Sequence, residues 1–403
     1  MASNTFELSA LFSTELIRER SNHIFNLALS GKTHFQVNLE KLSAAAQYVA
    51  DLITQNYPDL NVPYHSRWRH FEIGDEFQLN QYRALTQSLA PLEKARLGFD
   101  LIVPSVLIDA GAGPHWRYQS NNSVAPGRSE GLALASLDMF LAGGFGAGKA
   151  GLPQTEADSL LAITEADFAR YFNISNANPM AAVSGRVQLL VDLGKTLAEQ
   201  PNYFPNKRPG DLVDFLLGNF KKPLSALTVL ATVLHAFGPI WPGRIAIEET
   251  NLGDTWAYPQ LGEGIAGLVP FHKLSQWLTY SLVETLQDAG IAVVDVEKLT
   301  GLAEYRNGGF LLDFGLLELR DENDSRQAWP PASEIIIEWR ALTIVLLDLL
   351  AEKIAAILGL RSVDFPLAKV LQGGTWQAGR LLARNLRPDL SPPLQIISDG
   401  TVF

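Results

Sequence analysis

Along this chain apolar positions recur mainly at three- to four-residue spacing, which gathers them on one side of a helix. Between residues 39 and 57, Leu42, Ala46, Val49, Leu52 and Ile53 follow that spacing, and Pro58-Asp59 closes the run. Residues 97–110 form a continuous apolar stretch that stops at Gly111-Ala112-Gly113-Pro114. Further helices are predicted over 128–142, from Thr164 onward, and over 185–199, 208–219, 224–237 and 271–290. Thr164-Glu165-Ala166-Asp167 has the pattern of a capping box, and Gly290 closes the last of these helices. Extended segments are few: 244–248, 291–296 and 310–319. For 333–338 the pattern leaves open a strand or the first turn of a 335–358 helix. Residues 321–331 are polar with Pro330-Pro331 and read as an exposed loop. The expected fold is mainly α with a few short strands. There is no internal repeat and no clear linker, so residues 1–403 are expected to form one α-rich unit with a poorly delimited N-terminal part of about 1–150.

Composition narrows the function. Apolar residues make up 47% of the 403, enough for a large core. The net charge of −11 argues against a general polyanion binder, which needs a basic face, so no nucleic-acid partner is expected. A small phosphorylated substrate needs only a few well-placed cations and stays open. The absence of cysteine excludes disulfides, zinc–thiolate and iron–sulfur sites and a cysteine nucleophile. The start shows no basic segment followed by an apolar one, the mark of a signal peptide. The longest uncharged stretch, 223–243, contains Ser225, Thr228, Thr232 and His235 and is broken by Gly238-Pro239, so a buried helix fits it better than a membrane span. The expectation is a soluble cytoplasmic protein with no membrane partner.

Two nucleotide-binding patterns fail on context. Residues 143–149 satisfy the glycine and lysine positions of a P-loop, but Ala150 replaces the hydroxyl residue that would hold magnesium. Residues 146–151 spell a dinucleotide fingerprint, yet a helix rather than a strand is predicted before it. The seven histidines form no metal-binding spacing, and no metal or other cofactor is expected.

Several short stretches mix aromatic and ionisable residues, a combination that is costly to bury without purpose. They include 63–70, 109–118 with Asp109, 238–244 with Trp241, 271–277, 302–309, 338–340 and 373–376. Taken singly, each is better explained by packing aromatics and surface arginines. Together they suit a site for a planar or polar group and a phosphate. His272 and Lys273 sit near a helix start, with Gln276 one turn on and on nearly the same face. Glu304 precedes Gly308-Gly309 in an expected loop, a favourable place for a catalytic carboxylate.

The stretches PYHSRWRHF, LDAGAGPHWRY, GPIWPGR, NLGDTW, LVPFHKLSQWLTYSL, LTGLAEYRNGG, EWRALT, KVLQGGTWQAGR and ISDGTVF resemble a family of bacterial and fungal uracil-catabolism proteins. The resemblance runs from about residue 15 to Phe403. A more distant one supplies chemistry. Phe271-His-Lys273-Leu-Ser-Gln276-Trp-Leu278 is similar to the F-x-K-x-x-Q-x-L helix of the queuosine-nucleotide N-glycosidases. Lys298-Leu-Thr-Gly-Leu-Ala-Glu304-Tyr-Arg306 is similar to their K-L-T-x-x-A-D-Y-R. This resemblance implies a helical DNA-glycosylase-like architecture, with a glycosidase-like core over about 180–360, and hydrolysis of an N-glycosidic bond in a 5′-phosphorylated nucleoside. It makes Lys273 and Glu304 the catalytic candidates. The chain departs from the relatives in having Glu304 for Asp, Asn307-Gly308-Gly309 for V-P-Q, and a first third with little counterpart, so the substrate does not transfer.

N-glycosidic cleavage builds positive charge at C1′ and needs an anion nearby, a donor for the departing nitrogen and cations for phosphate. Glu304 suits the first task. Lys273 suits three: keeping Glu304 ionised, donating to the leaving group, or binding phosphate. Arg306 is the phosphate candidate. Tyr305, Asn307, His272, Trp241, Asp109, Glu338 and Arg340 complete the substrate-binding set. Within uracil breakdown the expected substrate is ribosylurea 5′-phosphate, yielding urea and ribose 5-phosphate. The alternatives are hydrolysis of an earlier ring-opened uracil nucleotide, and a non-catalytic binding or scaffold role. A structural ion pair is the plain account of Lys273 and Glu304. A phosphoribosyltransferase is disfavoured by the lack of an acidic diphosphate-binding loop.

Overall fold

The helical spacing of apolar residues is realised throughout the computed structural model, which describes residues 8–73, 76–109, 111–113, 115–119, 127–148, 151–241 and 244–397. The fold is mainly α, and the strands among the described residues are two or three residues long and joined only in pairs. The chain divides into two units, each assembled from separate stretches. Of the described residues, the first takes 8–65, 244–276 and 295–397, and the second lies within 66–241 and 277–294. None of these boundaries falls near 150, 180 or 360, because each unit is closed by segments remote in sequence that no change of composition marks.

In the first unit Glu334–Ile357 is the central helix, and every residue from Ile335 to Leu347 is buried. That burial settles 333–338 as a helix start: an element covered on all sides loses the apolar period that would identify it. Thr14–Leu29, Leu42–Asn56 and Tyr305–Asp313 pack on this helix. Leu42–Asn56 buries Leu42, Ala45, Ala46, Val49, Ala50 and Ile53, one continuous stripe. Ser13 starts Thr14–Leu29, its Oγ accepting from the Leu16 N–H at 3.1 Å.

Residues 310–319, expected to be extended, are divided. Their first four residues complete the Tyr305–Asp313 helix, Gly315 turns the chain at φ +84°, and only Leu317–Leu319 is a strand, antiparallel to Phe35–Val37. The helix is favoured by a cap at Glu304, which apolar patterning does not register. Residues 321–331 are likewise not a plain loop: a 3₁₀ turn at Glu322–Arg326 precedes Ala328–Trp329, which pairs with Gln395–Ile396.

Two glycines allow Tyr305–Asp313 to be wedged in place. A Cβ on Gly308 would lie 2.8 Å from the Trp339 indole, whose Nε1 donates to the Gly308 carbonyl at 3.0 Å. A Cβ on Gly379, in the Trp376–Leu386 helix, would collide with the Arg306 carbonyl oxygen. Backbone approach this close is open to glycine alone.

In the second unit the Pro91–Leu107 helix begins with proline in its first turn and is buried from Leu97 to Leu107. Its buried Asp100 accepts from Arg208 Nε at 3.0 Å and from the Gly210 N–H at 2.8 Å. Arg128–Leu141 packs beside it. Thr164 and Asp167 form the expected capping box on Glu165–Tyr171. The glycine-rich segment follows Arg128–Leu141 and folds as turns with Phe145 buried, while Lys149 and Ala150 lie outside the described residues. Among the described residues no helix is long and apolar enough to cross a membrane.

Replacing Gly379 with Ala is expected to cost about 1–3 kcal/mol of stability, because a methyl group is forced against backbone. Gly185, half-buried in the first turn of Val183–Glu199, has nothing within 4 Å of its would-be Cβ, so Gly185→Ala should leave stability unchanged or raise it by about 0.5–1 kcal/mol. Urea unfolding of the two variants beside the parent protein checks this contrast.

Candidate active site

An antiparallel hairpin in the first unit, Thr255–Ala257 with Leu268–Pro270, carries the chain to Lys273. Asp254, just ahead of it, ties the two ends together. Its carbonyl accepts from the Phe271 N–H at 2.9 Å, and its carboxylate accepts from the Lys273 N–H at 3.0 Å and from Trp256 Nε1 at 2.7 Å. The Lys273–Asp288 helix is thus capped from nineteen residues upstream.

Arg340 grips the same carboxylate with both arms, Nη1 to Oδ1 and Nη2 to Oδ2, each at 2.7 Å. Its guanidinium carbon lies 4.1 Å from the centre of the Phe271 ring, and its Nε donates to the Ala303 carbonyl at 3.2 Å. One buried arginine therefore joins the start of the Lys273 helix to the residue before Glu304. Burial alone would raise the Asp254 pKa. Arg340, Trp256 and the Lys273 N–H outweigh it and hold the carboxyl below the usual carboxylate range.

Glu304 is the N-cap of Tyr305–Asp313. Its Oε2 accepts from the Arg306 N–H at 2.6 Å and its Oε1 from the Asn307 N–H at 2.7 Å. The residue is only 8% exposed. Burial raises its pKa. The Lys273 charge, the two N–H groups and the Arg306 charge pull it down, but burial prevails and the pKa stays above the usual glutamate value. Lys273 is half-buried, and after burial its charge is the strongest influence on Glu304.

Six further candidates also belong to the first unit. The Arg306 guanidinium lies 5.1 Å from the Tyr305 ring centre, and its Nη1 donates to the Leu390 carbonyl at 3.2 Å. Asn307 is fully buried, its Oδ1 accepting from Thr375 Oγ1 at 2.8 Å. His272 stands at φ +48°, stacks on Phe12 and places Nε2 2.9 Å from the Leu11 carbonyl. A carbonyl only accepts, so Nε2 carries the proton, and burial lowers the pKa of this ring. Glu338 accepts from Tyr258 Oη and from the His34 backbone N–H, each at 2.8 Å, and its Oε2 lies 2.8 Å from His34 Nδ1. Arg340, as described, holds Asp254. Asp109 and Trp241 belong to the second unit. There Asp109 pairs with buried Arg67 and accepts from Ser129 Oγ at 2.9 Å, and Trp241 follows the Gly238–Ile240 turn.

The residue that sequence reasoning missed is Asp254. The motif Asn251-Leu252-Gly253-Asp254-Thr255-Trp256 contained it, but nothing local shows that its carboxylate caps a helix nineteen residues on. Chemically, the arrangement offers a buried carboxylate of raised basicity and a cation acting on it. Among the described residues there is no group of three or more His, Cys, Asp or Glu that could hold a metal ion.

Truncating Asp254 to Ala should cost about 3 kcal/mol or more, because Arg340, 2% exposed at its side chain, loses its counter-charge. Adding Arg340→Met should restore part of that loss, giving a non-additive pair. Urea unfolding of the two single variants and the double variant measures the coupling.

The sequence matches a family of known proteins along nearly its whole length. Residues 10–403 match the family model described as "Protein of unknown function (DUF1688)". "Protein urg3" of Schizosaccharomyces pombe is 37% identical over 414 residues, covering 99% of this chain and all of that protein. "Uracil catabolism protein 4" of Lachancea kluyveri is 33% identical over 433 residues, covering 97% of this chain and 98% of that protein. The chain therefore belongs to the DUF1688 family, the family it shares with uracil catabolism protein 4.

Proposed function

We propose that this protein is an N-glycosidase of uracil catabolism that hydrolyses ribosylurea 5′-phosphate to urea and ribose 5-phosphate. The name of the Lachancea kluyveri relative supports the pathway. The observation that carries the reaction is Glu304, an almost buried carboxylate fixed by two backbone N–H groups at a helix start and acted on by the Lys273 charge.

In this scheme the C1′–N bond breaks and its electron pair leaves with nitrogen. Water adds to C1′ and yields a proton, while the nitrogen gains one and departs in urea. Glu304 stabilises the positive charge at C1′ and takes the proton from water. An ionised carboxylate has about four lone-pair positions. The Arg306 and Asn307 N–H groups occupy one on each oxygen, which leaves each oxygen free to accept once more. Its raised pKa makes Glu304 a better base than an exposed glutamate. Lys273 keeps Glu304 ionised, the role its charge supports best, with donation to the leaving nitrogen or binding of the phosphate as its alternative roles. Arg306 is the proposed 5′-phosphate ligand. The scheme calls for no metal or redox cofactor.

The test is incubation with ribosyl 5′-phosphates bearing uracil, ring-opened uracil and urea, with products resolved by mass. Free ribose 5-phosphate is expected from the urea compound. A product that keeps its C1′–N bond would instead indicate hydrolysis of an earlier ring-opened nucleotide, and binding without turnover a scaffold. Glu304→Gln should lower kcat and kcat/KM together by about 10²–10⁴, because the lost charge matters most in the transition state. A folded Glu304→Gln enzyme with near-normal turnover would leave Glu304 as a helix cap only.

Acid protonates Glu304, so activity should fall as pH drops through a value above the usual glutamate pKa. Lys273 lowers that pKa, and Lys273→Met should therefore move the acid limb of the kcat/KM profile to higher pH. An unmoved limb with weaker substrate binding would assign Lys273 to phosphate.

A further inference from the structure

Gln276 is fully buried, yet neither its Nε2 nor its Oε1 has a hydrogen-bond partner. Buried amides in native proteins are almost always paired, and those left unpaired in an unliganded site are usually waiting for a ligand or water. Asn307, equally buried in the same unit, shows the ordinary outcome: Thr375 Oγ1 donates to its Oδ1 at 2.8 Å, and its Nδ2 faces the Leu302 carbonyl at 3.4 Å. The helix does not account for the Gln276 side chain either, since its backbone N–H already donates to the His272 carbonyl at 2.9 Å. Gln276 lies three residues after Lys273 on one helix, and at that spacing side chains are neighbours on one face. Lys273 in turn acts on Glu304. The unpaired amide thus lies one helical turn from Lys273, the cation whose charge acts on Glu304.

A primary amide presents an acceptor and a donor side by side in one plane. Its complement is a group with an N–H and a C=O side by side. We infer that Gln276 is the specificity residue of this site and recognises the ureido group of the substrate, its Oε1 accepting from a ureido N–H and its Nε2 donating to the ureido oxygen. This assignment rests on the glycosidase reading and extends it to the leaving group. A site built to pair such a group rejects analogues that lack it, because the amide is then left buried and unpaired.

The experiment is calorimetric titration with ribosylurea 5′-phosphate and with ribose 5-phosphate in the Glu304→Gln background, where cleavage is slowed, comparing Glu304→Gln alone with its combinations with Gln276→Leu and with Gln276→Met, alongside thermal unfolding without ligand of the parent protein, Gln276→Leu and Gln276→Met. Each Gln276 substitution should weaken ribosylurea 5′-phosphate binding about 10- to 100-fold, with ribose 5-phosphate affinity unchanged. Both variants should melt at or above the parent temperature, since two unpaired buried atoms are removed. Equal loss for both ligands, no loss for either, or a lower melting temperature in both variants would overturn the assignment and make Gln276 structural. Binding is read without turnover, which keeps the two ideas separable. A parent protein that binds ribosylurea 5′-phosphate through Gln276 but never cleaves it sinks the glycosidase reading alone. Cleavage that survives Gln276→Leu with unchanged affinity sinks the ureido assignment alone. A parent protein that binds neither compound overturns both.

Discussion

The bidentate contact between Asp254 and Arg340 is the constraint on which the candidate site depends. Three segments far apart in sequence meet there: the start of the hairpin, the central helix and the stretch leading into Glu304. Asp254 also caps the helix that begins at Lys273. Lys273 and Glu304 are 31 positions apart in the chain, yet the carbonyl before Glu304 accepts from the Arg340 guanidinium directly and the Lys273 N–H is joined to it through the Asp254 carboxylate. Pairing two charges away from water brings little net stability by itself. Its effect here is geometric, because an arginine fork and a carboxylate fit in few orientations and so fix the directions of the segments that carry them.

Around that pair the electrostatics of Glu304 are a balance of opposed effects. Burial favours the neutral acid, while a nearby ammonium group, two backbone N–H groups and a helix start favour the anion. The net upward displacement leaves a carboxylate that is more basic than an exposed one and is still held by its partners. An exposed glutamate would be fully ionised at neutral pH but weakly basic. One buried without Lys273 would have its pKa raised further. The position gains its chemical interest from having both influences together.

Packing brings the same elements close. Gly308 lets Tyr305–Asp313 lie against the Trp339 indole, and Gly379 lets Trp376–Leu386 approach the Arg306 backbone. Several polar residues nearby are consumed in holding this arrangement. Glu338 is occupied by Tyr258 and His34, Asn307 by Thr375, and His272 by the Leu11 carbonyl. Each would be costly to bury unpaired, and each has found a partner. Gln276 differs from them in having none.

The amino-acid sequence by itself determined the mainly α architecture, because amphipathic spacing and capping residues act within a turn or two of their own position. Leu42–Asn56 and the Thr164 cap were legible for that reason. It also determined which residue types were available for chemistry, and motif similarity brought Lys273 and Glu304 forward as a pair. Three things were decided only in the tertiary structure. The first four residues of 310–319 became helical because Glu304 caps the helix they complete. The division into two units came from contacts between stretches that are not continuous in sequence. The roles of the polar residues followed from their partners: Asp254 and Arg340 became a clamp, Glu338 and Asn307 became supports, and Gln276 was left unpaired. A hydrogen-bond partner is a matter of position in space. Residue spacing predicts it inside a helix turn and loses it once the chain has folded back on itself.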